Sequence, residues 1–223
     1  MDWLKKIIVL SLIWFGVWYV FYFYLEPQNI DYIDNYIFTC LYFLVVIVTI
    51  TTIFRNQIGE YVEKFSPKDL LMMVIFSMCI SAIYYFTNMV AENSPMYAIK
   101  SQLNPMLYLD SRYLATKAFE IMFQQTFFMV TIYYLFTNKI SKRVDIFLFG
   151  LYILILHIPR LFVNEKMGKT LVIVSFFAGL LFSYFITKSI KGFIYSYMIH
   201  FGFYVLVAII FWLGGANYIL SLN

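Results

Sequence analysis

The sequence predicts an all-α, polytopic membrane protein of about seven transmembrane helices, oriented N-in/C-out. Three observations carry that expectation. The 223 residues are 63% hydrophobic and only 13% charged, with a mean hydropathy of +0.80, far outside the range of soluble globular chains. Apolar runs of roughly 20 residues, the length that crosses a hydrocarbon core of about 30 Å, recur along the chain. No polar stretch between them has room for a separate soluble domain, so residues 1–223 read as a single integral membrane domain.

The runs fall at Leu4–Leu25, Tyr36–Phe54, Leu70–Val90, Tyr113–Phe136, Ile146–Val163, Leu171–Thr187 and Gly192–Leu213. The first carries Lys5 and Lys6 at its start, as a signal peptide would. Its apolar run is longer than a signal h-region, and no small-x-small cleavage site follows at Leu25-Glu26-Pro27, so it reads as a retained signal anchor. With the N-terminus inside, the inner segments hold Lys5, Lys6, Arg55, Lys64, Lys68, Lys139, Lys142, Arg143, Lys188 and Lys191. The outer segments hold Lys100, Arg112, Arg160, Lys166 and Lys169, with Lys117 just inside the fourth span. The first loop, Glu26 to Asn35, has three acids and no base, which suits the exterior. The net charge of +4 therefore follows topology and gives no case for nucleic acid as a partner.

Most connections are tight, such as Thr137–Asp145 and Thr187–Lys191, so successive helices are expected as antiparallel neighbours. The exception is Ala91 to Arg112, a long segment with Pro95 and Pro105 that reads as an interfacial lid or a spacer before the fourth span. Gly214 to Asn223 is too short for another span. Cys40 and Cys79 lie within spans without ligand spacing and read as small apolar filler.

The chemistry is concentrated in the second half. Glu120 is the one acid well inside an expected span, and His157 and His200, the only histidines, also fall inside spans. An ionised carboxylate is costly in hydrocarbon, so an intramembrane acid marks a functional site with a partner to be found. Helical spacing places Gln124 one turn beyond Glu120 and Lys117 one turn before it. Lys117 is thus also a partner that could simply neutralise Glu120. Pro159 should disturb the helix just past His157, and Tyr204 lies one turn beyond His200. At 1.5 Å per residue, Glu120 and His157 lie roughly 11 and 12 Å from the outer face. His200 lies roughly 18 Å from it, about one turn deeper. All three can share one site.

Glutamate on one span, histidine on the next and histidine two spans later resembles the CPBP family of intramembrane proteases, which includes the CAAX prenyl endopeptidases and bacteriocin-processing, Abi-type proteins. The family motifs run roughly EExxxR, FxxxH and HxxxN. The corresponding segments are Phe119-Glu120-Ile121-Met122-Phe123-Gln124, Ile153-xxx-His157 and His200-xxx-Tyr204, within a family-like core of about residues 113–213. The run from Lys191-Gly192-Phe193-Ile194 into His200 is similar too. The second acid is replaced by Phe119 or Ile121, depending on alignment, the arginine by Gln124 or Gln125, and the asparagine by Tyr204.

The resemblance implies an endopeptidase that cleaves a membrane-anchored or lipidated peptide, in the cell membrane. Glu120 would take a proton from the attacking water, while His157 and His200 orient that water and stabilise the oxyanion. Gln124, Gln125 and Tyr204 would support them as neutral hydrogen-bonding groups. Two histidines and a carboxylate also make an acceptable zinc set, but a glutamate bound to zinc cannot act as the free base, and no HExxH pattern is present. The metal-free version is favoured, with no cofactor required. Two other readings stand beside it: a catalytically inactive relative acting as a membrane scaffold or regulator, and a small proton-coupled transporter with the same residues as a relay.

Overall fold

The computed structural model describes residues 2–62, 66–91, 110–136, 141–162, 165–188 and 191–210. Every regular element among them is helical: α1 (Asp2–Val20), α2 (Tyr36–Ile53), α3 (Arg55–Val62), α4 (Pro67–Ala91), α5 (Ser111–Phe136), α6 (Lys142–His157), α7 (Glu165–Lys188) and α8 (Gly192–Ile210). Five segments are long and apolar enough to cross a membrane: Leu4–Gln28, Tyr36–Ile53, Pro67–Thr87, Lys169–Lys188 and Gly192–Ile210. They make the chain compatible with an integral membrane protein.

The two other expected spans differ for physical reasons. The segment at Tyr113–Phe136 forms α5, which has 26 residues but is interrupted by Glu120, Gln124 and Gln125 and is not among the apolar five. The segment at Ile146–Val163 forms α6, a helix of only 16 residues. It ends at His157 and tightens into a 3-10 turn, Ile158–Phe162, that contains Pro159. The short α3 has no counterpart among the expected spans; Ile58 is its buried anchor. Of the long Ala91–Arg112 segment, residues 92–109 lie outside the described residues, as does Gly214–Asn223.

Helix α5 is the axis of the bundle and touches every other helix. From Phe123 to Ile132 each of its residues is buried, so it has no solvent or lipid face of its own over that length. The outer helices are apolar all round and leave large side chains such as Leu12, Phe23, Val45, Met78 and Phe86 exposed, the surface a bilayer would cover. Trp14 of α1 packs on Phe123, Phe127 and Phe128 of α5 with ring centroids 5.6, 5.1 and 6.0 Å away. Such aromatic pairs each contribute about 0.5–1.5 kcal/mol beyond the area they cover. Polar groups on the outer helices find partners: Tyr42 donates to the Val17 carbonyl at 2.7 Å, and Tyr152 to Ser11 at 3.0 Å.

Glycines set the closest approaches, as small residues do between membrane helices. A Cβ on Gly179 would stand 3.0 Å from the Gly150 Cα, which is why α6 and α7 pack so closely. At the α7–α8 turn a Cβ on Gly192 would stand only 1.9 Å from the Phe185 carbonyl oxygen. Backbone cannot yield there as a flexible side chain can. Gly192→Ala is therefore expected to destabilise the protein by about 1–3 kcal/mol or more. Gly16→Ala, with nothing within 4 Å of the added atom, should be neutral or stabilising by up to about 1 kcal/mol. Unfolding of both variants in mixed micelles, compared with the parent, measures the difference; equal midpoints would refute the close-approach argument.

Candidate active site

The polar residues of α5 are buried as a set: Thr116, Lys117, Glu120, Gln124, Gln125, Thr126 and Thr131. Threonines 126 and 131 satisfy themselves by donating to the carbonyls of Met122 and Phe127 one turn back. Thr116 likewise donates to the Arg112 carbonyl at 3.0 Å, and the others are held by partners on α5 and on neighbouring elements, which define the site.

Glu120 is 1% exposed and its carboxylate accepts three hydrogen bonds. Oε2 takes the Lys117 ammonium at 2.6 Å and the Tyr32 hydroxyl at 2.7 Å, and Oε1 takes the Gln124 amide at 2.7 Å. Lys117 and Gln124 come from the helix's own repeat. Tyr32 comes from the loop between α1 and α2. That loop is shaped by Asp31, whose side chain accepts from the backbone of Ile33 and Asp34 and whose carbonyl accepts from Thr39. Asn29 supplies the left-handed turn before it, with φ of 57°.

The Lys117 ammonium is held by more than its counter-ion. It lies 4.6, 4.9 and 5.7 Å from the ring centroids of Tyr204, Tyr32 and Tyr113. Three aromatic faces from three parts of the chain thus surround one cation, replacing some of the hydration it gives up. Tyr84 closes the neighbouring α4–α5 junction by donating to the Asp110 carbonyl at 3.1 Å.

Gln125 leads to the first histidine. Its Oε1 accepts from Ser196 of α8 at 2.7 Å, and its Nε2 lies 3.0 Å from Nδ1 of His200. In that orientation the amide donates, His200 accepts at Nδ1, and the neutral ring carries its proton on Nε2. The His200 ring also packs against Phe182 at 5.0 Å and against Tyr204 at 5.5 Å. Tyr204 therefore touches both His200 and Lys117, joining the two halves of the site. His157 approaches differently. Its Nδ1 donates to the Ile153 carbonyl at 2.8 Å, and its ring lies 6.0 Å from Trp14.

Glu120, Gln124, Gln125, Tyr204 and His200 thus belong to one connected cluster, whereas the His157 contacts described above are to Ile153 and Trp14. Glu120 and His200 are linked by a chain of contacts running through Lys117 and Tyr204. Tyr32, Tyr113 and Ser196 are additional members. Gln124 Oε1 is buried and takes no hydrogen bond from the described residues. Among those residues no group of three or more His, Cys, Asp or Glu could hold a metal ion, and the set Glu120, His157, His200 does not form one.

A buried ion pair costs most when only one partner is removed, about 3–5 kcal/mol, because the other charge is left uncompensated. Lys117→Met should show a loss of that size. Lys117→Met combined with Glu120→Gln should be less destabilising than the sum of the two single changes. A double-mutant cycle in unfolding free energy measures the coupling; additive effects would mean that the pair at 2.6 Å carries no net interaction.

No family model, curated protein or solved structure matches the chain. A functional reading therefore rests on the site itself and on the motif order within the chain.

Proposed function

We propose that the chain is a multi-pass protein of the cell membrane with a glutamate-type intramembrane endopeptidase site of the CPBP kind. Its substrate class would be a membrane-anchored or lipidated peptide. The observation that carries this reading is the Gln125–His200 bridge at 3.0 Å, which ties α8 to the helix that bears Glu120. It joins one amide and an imidazole inside an apolar bundle, and Glu120 and Gln124 stand on the same helix as that amide, which supports a reading in the motif order of that family.

In this reading Glu120 is the base for the attacking water. His200, accepting from Gln125 at Nδ1, presents its Nε2–H as a donor to the developing oxyanion. Gln124 holds the carboxylate in position and leaves its Oε1 to accept from water or a substrate amide. Lys117 sits one turn before the glutamate, whereas the family's arginine follows it, and supplies the positive charge that Gln124 and Gln125 lack. Because Lys117 occupies Oε2, catalysis in this reading would require the ammonium to shift when substrate enters.

A second reading is supported by the same ion pair. A carboxylate neutralised at 2.6 Å and holding two further donors suits a protein that binds a membrane peptide without cleaving it. The two are separated with purified full-length protein in proteoliposomes and a farnesylated, fluorophore-tagged peptide, with products read by mass spectrometry. The endopeptidase reading expects cleavage that Glu120→Gln and His200→Ala each reduce at least a hundredfold, the scale of a lost base or oxyanion donor. Peptide that binds but stays intact with the parent protein, under conditions where a positive-control protease cleaves it, supports the binding reading and sinks the first.

A further inference from the structure

A second feature lies on the other side of α8, facing outward. Between α4, α7 and α8 runs a groove of about 400 Å³, lined by Phe76, Phe185, Tyr195, Met198 and Ile199. The lining is almost wholly apolar. Its depth follows from the helix: Tyr195 lies one turn from Lys191, and Ile199 one turn further, so the groove reaches about 12 Å below Lys191. Gly202 continues the floor, with the Phe76 ring 3.6 Å from the point where a Cβ would stand. At its upper end the Phe185 and Tyr195 rings approach to 6.3 Å.

The mouth of this groove is basic. Lys188 lies one turn beyond Phe185 on α7 and donates to the Tyr184 hydroxyl, a neutral partner that leaves the ammonium its charge. Lys142, exposed at the start of α6, reaches the same end of α7 by donating to the Thr187 carbonyl at 3.2 Å. Lys191 is half exposed and bridges to Asp69 of α4 at 2.5 Å. Asp69 also caps α4 by accepting from the Ser66 backbone and hydroxyl at 3.0 and 2.7 Å. The bridge fixes α4 against the α7–α8 turn, and so fixes the width of the mouth. Lys191 is balanced by Asp69, so among the described residues the positive charge at this end of the groove rests on Lys188.

We infer that this groove is a binding site for a single anionic glycerophospholipid, one acyl chain lying along Phe185, Tyr195, Met198 and Ile199 and the phosphate at Lys188. The inference rests on the membrane reading of the bundle and is independent of any peptidase activity. An apolar trough whose lip carries cations at interfacial depth matches a lipid at both ends: hydrocarbon below, phosphate above. A peptide helix would have to place an acidic residue at that lip and leave the narrow trough unfilled.

The test uses the full chain in detergent micelles doped with equal amounts of POPG and POPC, followed by native mass spectrometry over a dilution series. The parent protein should retain one POPG in preference to POPC by about fivefold, the effect of one juxtamembrane lysine on an anionic headgroup. Lys188→Gln, which leaves the Lys191–Asp69 bridge intact, should abolish the preference. Ile199→Trp, which fills the trough, should reduce retention of both lipids, with an unchanged melting curve showing that the variant folds. Equal retention of POPG and POPC by the parent would overturn the proposal, as would parental behaviour of both variants.

Discussion

A charged pair in the middle of an apolar bundle has to be shielded on every side, and the architecture follows from that need. Lys117 and Glu120 lie on α5 with side chains 8% and 1% exposed, so neither charge reaches the hydrocarbon or water around the bundle. The helix that carries them is the one that contacts all the others. This is the opposite of a soluble helix bundle, in which the most polar surfaces lie outside. Here the apolar helices α1, α2 and α4 take the periphery because exposure costs them nothing in lipid, and the polar helix takes the centre because exposure would cost it a great deal. The ion pair alone does not satisfy its own members. Tyr32, Tyr113 and Tyr204 supply the remaining stabilisation for the ammonium, and Tyr32 and Gln124 supply it for the carboxylate.

The same constraint explains the aromatic richness of the core. Stacked rings fill the space around α5 without adding polar atoms that would need partners, and Trp14 alone spans Phe123, Phe127, Phe128 and His157. Several polar atoms in the outer helices are tied to a nearby carbonyl or hydroxyl, as with Tyr42 on Val17 and Tyr152 on Ser11. Glycines serve the complementary purpose. Between α6 and α7, Gly150 and Gly179 let the two backbones approach, with the Phe176 ring 3.3 Å from the point where a Gly150 Cβ would stand. Large rings around α5 and small residues between α6 and α7 give the bundle one wide axis and one narrow seam.

Much of this was legible in the chain. The helical class, the five most apolar segments, the break at Pro159 and the Lys117–Glu120–Gln124 face follow from composition, run length and the 3.6-residue repeat. Those rules are local, and they lose their force where the determining contact is distant. Tyr32 sits in a loop 88 residues from Glu120, and nothing in its neighbourhood distinguishes it from the other tyrosines. Gln125 was placed as a stand-in for an arginine, but its partners, Ser196 and His200, lie more than 70 residues away on α8. The seven-span expectation treated α5 as one more apolar run, because a run-length rule ignores how buried polar residues lower a helix's hydropathy without making it a surface helix. Depth arithmetic had the same limit: it gave Glu120 and His157 similar depths, yet depth says nothing about azimuth, and the His157 Nδ1 points to its own helix at Ile153.

Lys117 is the residue on which the chemical reading turns. In the resembling family the cation follows the glutamate by one turn, whereas here the lysine that pairs with it, Lys117, precedes it and both candidate arginine positions are glutamines. A lysine is a compact point charge on a flexible stem, able to swing by several ångströms without moving the backbone, while an arginine fork would be held in one geometry. Its present position is stabilised by three tyrosine faces, and two of those, Tyr32 and Tyr204, belong to elements other than α5. Under the proposed peptidase reading, a substrate entering between the α1–α2 loop and α8 would disturb those faces first. Loosening the tyrosines would then weaken the hold on the ammonium as the substrate reached the carboxylate. Release of Glu120 would then be coupled to substrate entry, which is what a hydrolytic site in a membrane needs if it is to stay closed while empty.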